Sequence, residues 1–415
     1  MKGILVVLDG LGDLPCKALK GKTPLEAANK PNLDYLSEFS KFGYAYTDGE
    51  GVIPESDSGV LSLLGNPKLI GYRGVFEALG AGIKLQRGDL ALRANFATID
   101  NIKDKKLLDR RVGRTLTTKE ATILAEAINK NVKLPCKFIF QNTVQHRGVL
   151  VLRGGFSDNI TNTDPEYHTK GVIKIRDRLS YSQPLDDEDN TKYSSDMVNQ
   201  FIDQSFKVLN EHKINLARKD KGLLPANVIL TRDASMEIPK INKFKDWASV
   251  SYMPLEIGIC KASNIAVFSF PYPELENVEV YENLYSGLKE AIKFSVETIK
   301  ENHKNYDYFY VHFKETDIPG HDNLPEEKKK MIELIDKEFF SFLKEFTEKK
   351  KIFSLVTADH STLCEKKSHS ADPVPVLFCD WKNTGKKNFS EKEALSGKLG
   401  KIQGKDLLKM VGFLK

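Results

Sequence analysis

The chain has 415 residues, a hydrophobic share of 40% and a charged share of 29%, an ordinary globular composition whose length argues for two domains rather than one core. Its 62 Lys and Arg against 57 Asp and Glu leave a formal charge of +5, too mild and interspersed for a nucleic-acid partner; runs such as Lys366-Lys367 and Lys328 to Lys330 read as solvated helix faces. Five cysteines without a CxxC pair argue against a disulfide framework and suit a reducing compartment, and no apolar run reaches the roughly 18 residues of a membrane span, so the protein is expected in the cytoplasm.

In chain order, Gly3 to Leu8 is a short apolar strand closed by Asp9-Gly-Leu-Gly-Asp13, a β-then-turn opening. Thr23-Pro24 and Asn29-Lys-Pro-Asn32 each start a helix with Pro in the first turn. A helical run from Val60 to Leu64 follows Pro54-Glu-Ser-Asp-Ser-Gly59 and stops at Gly65-Asn-Pro67. The character changes near residue 86. Leu90 to Ile99 alternates like a half-buried strand, Asp100 to Lys105 is a turn, and Glu120 to Asn129 is a helix. Lys137 to Phe140 and Gly148 to Leu152 are further strands, followed by a polar stretch from Ser157 to Asp164. This reads as a compact α+β insert, after which the helix from Ser195 to Asn210 returns the chain to alternating α/β. The last third repeats a strand followed by polar groups: Tyr306 to Phe313, then Lys314 to His321; Lys351 to Thr357, then Asp359-His360; His369 to Asp372, then the strand Val374 to Phe378. There is no internal repeat.

Ligands of parallel α/β sheets sit beyond the carboxyl ends of the strands. Asp9, Asp317, His321, Asp359, His360 and His369 all fall beside strand ends. Asp317 and His321 are four apart, on one face of a helical turn. Carboxylates with imidazoles suit Zn²⁺ or Mn²⁺, and a set of this size suits two ions rather than one. His303 and His312 are read as structural. A hydroxyl in the Pro54 to Gly59 stretch, at a helix N-terminus, can serve as a nucleophile and hold phosphate. Spacing does not decide between Ser56 and Ser58, and either can merely cap the helix.

Further stretches complete the pattern: Thr23 to Leu33, Glu55 to Asp57 with Leu61 to Gly65, Glu77 to Ile83, Arg93 to Thr98, Asp109 to Arg114, His146-Arg147, Thr163 to Pro165, Val311 to His321, and Thr357 to Thr362 with His369 to Val374. Together with Asp9 to Asp13 they resemble, almost end to end, the archaeal-type 2,3-bisphosphoglycerate-independent phosphoglycerate mutase family of the alkaline phosphatase superfamily. The resemblance implies an α/β fold: an alkaline-phosphatase-like, mostly parallel sheet flanked by helices, formed by residues 1–85 and 179–415, with an inserted α+β cap at 86–178. It implies an isomerase of glycolysis and gluconeogenesis that interconverts 3-phosphoglycerate and 2-phosphoglycerate through a phosphoserine.

On that resemblance Ser56 is the nucleophile rather than Ser58. Asp9, Ser56, Asp359 and His360 would hold one divalent ion, and Asp317, His321 and His369 the other. Mn²⁺ is the first choice, with Mg²⁺, Co²⁺ or Zn²⁺ as alternatives, and no 2,3-bisphosphoglycerate is needed. Lys314 would neutralise phosphoryl charge. The cap would bind the phosphoglycerate through Arg93, Asp109, Arg110, Arg114, His146 and Arg147, with the choice between Arg110 and Arg111 open. Guanidinium groups suit carboxylate and phosphate on their own chemistry. A homo-oligomer is left open. The chain departs from the family at Val60, where a His is usual, at Glu315, where Gly is usual, and at 230–235 and 270–274. These departures keep a phosphomonoester or phosphonate hydrolase of the same superfamily as the alternative. A non-catalytic metal-binding relative is the third reading, disfavoured because such a module needs no nucleophile beside two ions.

Overall fold

The computed structural model describes residues 1–165, 177–275, 279–382, 385 and 388–414; residues 166–176, within the expected cap, lie outside the described residues. The strands in the first part are β1 (Gly3–Leu8), β2 (Ser40–Tyr46), β3 (Leu90–Ile99), β4 (Leu107–Asp109), β5 (Lys137–Asn142), β6 (Arg147–Arg153) and β7 (Val228–Ser235). Those that follow are β8 (Trp247–Val250), β9 (Ala266–Phe268), β10 (Tyr308–Phe313), β11 (Phe353–Thr357), β12 (Ser361–Leu363), β13 (Ser368–Ser370), β14 (Val374–Cys379) and β15 (Gly400–Gln403).

The main sheet has the order β15-β2-β14-β11-β1-β10-β8-β9. Only β14 runs against its neighbours; the remaining pairs are parallel. β1 lies at the centre and is buried along its whole length, which is why it reads as an unbroken apolar run rather than an alternation. Each Val or Leu buried there contributes about 1.5–3 kcal/mol. Register then places the chemistry. Leu8 pairs with Phe313 and Val7 with Thr357, so Asp9, Lys314 and Asp359 leave three adjacent strands at nearly one level. They share the carboxyl edge of the sheet, where ligands of such sheets bind.

A second, antiparallel sheet has the order β4-β3-β6-β5, with β7 pairing β3. Its core includes Phe96, Leu124, Phe140 and Leu150 from the expected insert. It also includes Met197, Phe201 and Leu209 from the helix Asp189–Asn210, and Val228 and Leu230 from β7. The sequence reading returned the chain to the main unit at residue 179, whereas this core holds the chain through β7. The helix is amphipathic, and its apolar face covers the open face of the antiparallel sheet. No local pattern states which sheet such a face will cover. The helix Arg73–Gly80 lies between the units: Phe76 joins the main core, while Val75 and Ala78 pack with Ala91, Val149 and Val151 of the second sheet.

Candidate active site

Three strand ends converge first. Asp9 is 1% exposed and His360 and Asp359 are fully buried. His360 Nε2 lies 3.3 Å from Asp9 Oδ1 and 3.4 Å from Asp359 Oδ2. Asp359 Oδ1 is held by the backbone N–H of Gly10 at 3.2 Å and of His360 at 3.1 Å. Gly10 has φ +60, and a Cβ there would meet Thr362 Oγ1 at 2.5 Å and Asp317 Oδ1 at 2.7 Å, so the turn after β1 needs glycine on both counts. Lys314 pairs with Asp9 and, at 2.9 Å, with Glu256.

The second group comes from the short helix Asp317–Asp322 and the β12–β13 hairpin. His321 Nε2 is 3.3 Å from Asp317 Oδ2 and 3.2 Å from His369 Nε2. The four-residue spacing read from the sequence is therefore a real juxtaposition. His369 Nδ1 is 3.0 Å from Pro54 O, and Thr362 Oγ1 donates to Asp317 Oδ1 at 2.6 Å. The rings of His360 and His369 stack with centroids 3.7 Å apart, so the two groups adjoin.

The two serines differ in geometry. Ser56 opens the helix Ser56–Leu63, and its Oγ is 3.2 Å from His360 Nε2. Ser58 Oγ instead donates to Glu55 O at 3.1 Å and accepts from Glu55 N at 3.2 Å, as the third-position partner of a capping box whose N-cap is Glu55. The close approach depends on Gly59, where a Cβ would meet Asp359 O at 2.3 Å. Val60, at the position where the family usually has His, is buried in the main core.

One cavity joins Ser56, Lys314, Asp317, His321 and His369 to a wall of arginines. Arg93, Arg110, Arg111, Arg114, His146 and Arg147 line it. Arg110 is engaged by Asp164 through Nε and Nη2 at 2.9 and 2.8 Å, a bidentate pair. Arg114 Nη1 reaches Asp322 Oδ2 at 2.6 Å, bridging the second sheet's unit to the main one. Asp109 does not join the cavity. Its carboxylate accepts from the backbone N–H of Arg111 at 2.7 Å and Gly113 at 2.8 Å, the local turn bonding to which Asp is prone.

The structure brings further residues to this site. Arg73 and Glu77 line the cavity and pair at 3.3 Å, and Glu77 also binds Arg93; their i,i+4 spacing was the available signal. Arg232 comes from β7, in one of the departing stretches. Glu315, another departure, is buried and accepts from Tyr252 at 2.8 Å and Tyr272 at 3.1 Å. His312, read as structural, lies with Nε2 3.3 Å from Asp9 Oδ2. Alternation along β10 puts it on the same side as Lys314, two residues on.

Electrostatics sorts these groups. Burial pushes His360 down to about 3 and His312 to about 4, against the pull of Asp359. His321 is raised, chiefly by Asp317. Burial drives Glu256 up to about 8. His146 is held well below its ordinary value by burial and then by Arg147, Arg111, Arg93 and Arg114, so it is neutral.

Both Asp9 oxygens, Asp359 Oδ2 and His312 Nε2 are buried without a well-aligned hydrogen bond, although Lys314, His312 and His360 crowd Asp9 at ion-pair range. Buried carboxylate oxygens left so are costly unless a cation takes them. Ligand atoms of Asp9, Asp359 and His360 lie within 4.8 Å of one another, as do those of Asp317, His360 and His369. The donor set fits divalent cations.

Comparisons with known proteins point to one family. A family profile described as 2,3-bisphosphoglycerate-independent phosphoglycerate mutase matches residues 38–215. A protein of that name from Pyrococcus horikoshii is 37% identical over 98% of this chain and 95% of its own length. One from Aeropyrum pernix is 38% identical over 97% of both chains. Among solved structures, the cofactor-independent phosphoglycerate mutase of Thermoplasma acidophilum superposes with a TM-score of 0.59 at 30% identity, covering 100% of this chain and 99% of its own. A Pyrococcus horikoshii protein gives 0.73 at 30% identity, covering 99% and 96%.

Proposed function

We infer that this protein interconverts 3-phosphoglycerate and 2-phosphoglycerate through a phosphoserine, because the chain belongs to the 2,3-bisphosphoglycerate-independent phosphoglycerate mutase family. As a member of that family it uses divalent metal ions and needs no 2,3-bisphosphoglycerate. The observation that carries the residue assignment is Ser56. Its Oγ faces His360 at a helix N-terminus, and the cavity it lines has arginines on its other side.

Ser56 Oγ gives up its proton and attacks the phosphorus of 3-phosphoglycerate. The bond from phosphorus to the 3-oxygen breaks, the leaving oxygen takes up one proton in exchange for the one Ser56 released, and glycerate remains beside phospho-Ser56. Glycerate then turns, its 2-oxygen loses a proton and attacks the same phosphorus, and Ser56 Oγ leaves and regains a proton. Arg93, Arg114 and Arg147 hold carboxylate and phosphate. The Lys314 ammonium, on the cavity wall, balances charge on the moving phosphoryl group. His146, being neutral, adds no further positive charge and is left to hydrogen bonding. The helix N-terminus that Ser56 opens favours the phosphate charge through its dipole.

Asp9, Ser56, Asp359 and His360 would hold one ion, and Asp317, His321 and His369 the other. Ions so placed would supply Lewis-acid polarisation and a lowered serine pKa. Mn²⁺ is the best match to carboxylate and imidazole, with Mg²⁺, Co²⁺ or Zn²⁺ as alternatives. The unit built on the second sheet, roughly 86–235, acts as the cap that keeps water from phospho-Ser56. All five cysteines are free, which suits the cytoplasm; among the described residues no helix is long and apolar enough to cross a membrane. The test is an enolase-coupled assay with 3-phosphoglycerate, run beside a free-phosphate assay. Isomerisation outrunning phosphate release supports the mutase. The reverse supports the hydrolase.

A further inference from the structure

A buried lysine lies behind the loops that carry the acidic and imidazole groups. Lys328 sits on the helix Pro325–Ile335 and is fully buried, whereas its neighbours Lys329 and Lys330 pair with Glu326 and Glu327 near the surface. The charge run that reads as solvated in sequence is therefore split by its first member. The ammonium of Lys328 donates to Gly12 O at 3.3 Å, Asp13 Oδ2 at 3.0 Å and Thr362 O at 2.8 Å. An ammonium has three N–H donors, and each finds an acceptor.

The acceptors belong to two different loops. Gly12 and Asp13 follow Asp9 at the end of β1; Thr362 follows Asp359 and His360 beyond β11. Thr362 is itself in contact with both groups of the site, donating to Asp317 Oδ1 at 2.6 Å and lying 3.1 Å from His360 Nδ1. The crossing is reinforced by Thr362 N donating to Gly12 O at 3.0 Å and Cys364 N to Asp13 Oδ1 at 3.2 Å. One side chain thus ties the Asp9 loop to the Asp359–Thr362 loop from the side away from the cavity.

We propose that Lys328 is a positioning residue that fixes the spacing of these two loops, and with it the separation of the groups that would hold the two ions. This rests on the metal reading given above. Lys328 touches neither substrate nor reacting atoms. It acts by holding Asp9, His360 and, through Thr362, Asp317 in place before an ion arrives. Partners one step behind the ligands commonly govern affinity in this way, since ligands already in place need no ordering when the ion binds.

The test compares the chelator-stripped wild type with Lys328→Met and with Lys328→Met combined with Asp13→Asn. Met keeps the apolar stem and removes the cation; the double variant also removes the carboxylate charge that the single change leaves unpaired. Where Lys328→Met alone fails to fold, the double variant carries the measurement. Mn²⁺ binding is followed by calorimetry, with apo-protein melting and steady-state kinetics at saturating Mn²⁺. Mn²⁺ affinity should fall about tenfold to hundredfold, and kcat by a similar order, with KM for 3-phosphoglycerate nearly unchanged. Lys328→Arg should recover part of the affinity. A double variant that melts lower but binds Mn²⁺ as tightly as the wild type overturns the proposal and leaves Lys328 a structural residue. A wild type that binds no Mn²⁺ overturns the metal reading itself, and this proposal with it.

Discussion

Ser56 Oγ lies 3.2 Å from His360 Nε2 across 304 residues of sequence, while Ser58, two positions on, spends its hydroxyl on the backbone of Glu55. Ser56→Ala should abolish mutase activity, with a loss of more than about three decades in kcat, and leave the fold and most of the metal in place, since Asp9, Asp359 and His360 remain to hold the ion that Ser56 would share. Ser58→Ala should cost stability, about 1 kcal/mol for a lost cap, and little activity. An active Ser56→Ala beside a dead Ser58→Ala in the coupled assay would reverse the assignment.

Chelation should inactivate the enzyme, and Mn²⁺, Co²⁺ or Mg²⁺ should restore it to different degrees. Elemental analysis should find two ions per chain. Asp9→Asn and His369→Ala should each leave one, because the two residues belong to different groups of donors. Full activity in excess chelator, with no metal retained, would sink the two-ion mechanism.

His146 is neutral in the folded chain and free to protonate in the unfolded one. Its folded pKa lies below its unfolded value, so below about pH 6.5 the unfolded chain binds the extra proton. Its contribution to stability is therefore present above that pH and lost as pH falls through it. His146→Gln should remove this acid sensitivity, worth up to about 1.4 kcal/mol at pH 5.5. Paired melts of apo-protein at pH 7.5 and 5.5 measure it. An equal shift in wild type and variant would show that His146 plays no part.

Glu315 gives two buried phenols their acceptor. Glu315→Gly, which installs the residue usual in the family, should destabilise by about 1–3 kcal/mol for each phenol left unpaired, and Glu315→Gln by less. The check is a urea denaturation series. Wild-type stability in Glu315→Gly would mean that Tyr252 and Tyr272 find other partners.

The phosphoryl group should return to the glycerate that delivered it, since among the described residues Ser56 is the one serine, threonine or cysteine lining the cavity. Arg114 pairs with Asp322 between the proposed cap and the main unit. Removing that partly exposed pair costs roughly 1 kcal/mol, which raises an open population about fivefold. Phosphate release relative to isomerisation should rise by that order in Arg114→Ala, and should also rise in Arg147→Ala. Substrate labelled in both carbon and phosphorus, mixed with unlabelled substrate, tests the route by mass spectrometry. Scrambled labels at early times would refute intramolecular return.

The strand ends were legible in the sequence because an apolar run and the Asp or His that closes it are neighbours in the chain. β1 with Asp9, β10 with Asp317 a few residues on and β11 with Asp359 could be read this way, and parallel register brings the three strand ends to one edge. The motifs were enough to point to the family. Tertiary structure decided matters that rest on partners far apart in sequence. It turned Ser56 rather than Ser58 toward His360, set Asp109 on its own loop, and drew His312 against Asp9. It gave the helix Asp189–Asn210 to the second core and buried Lys328 beneath two loops while Lys329 stayed near the surface. An amphipathic face or a charged side chain has the same local pattern whatever covers it; its partner is chosen only when the sheets pack, by the area buried and the polar groups that must be satisfied.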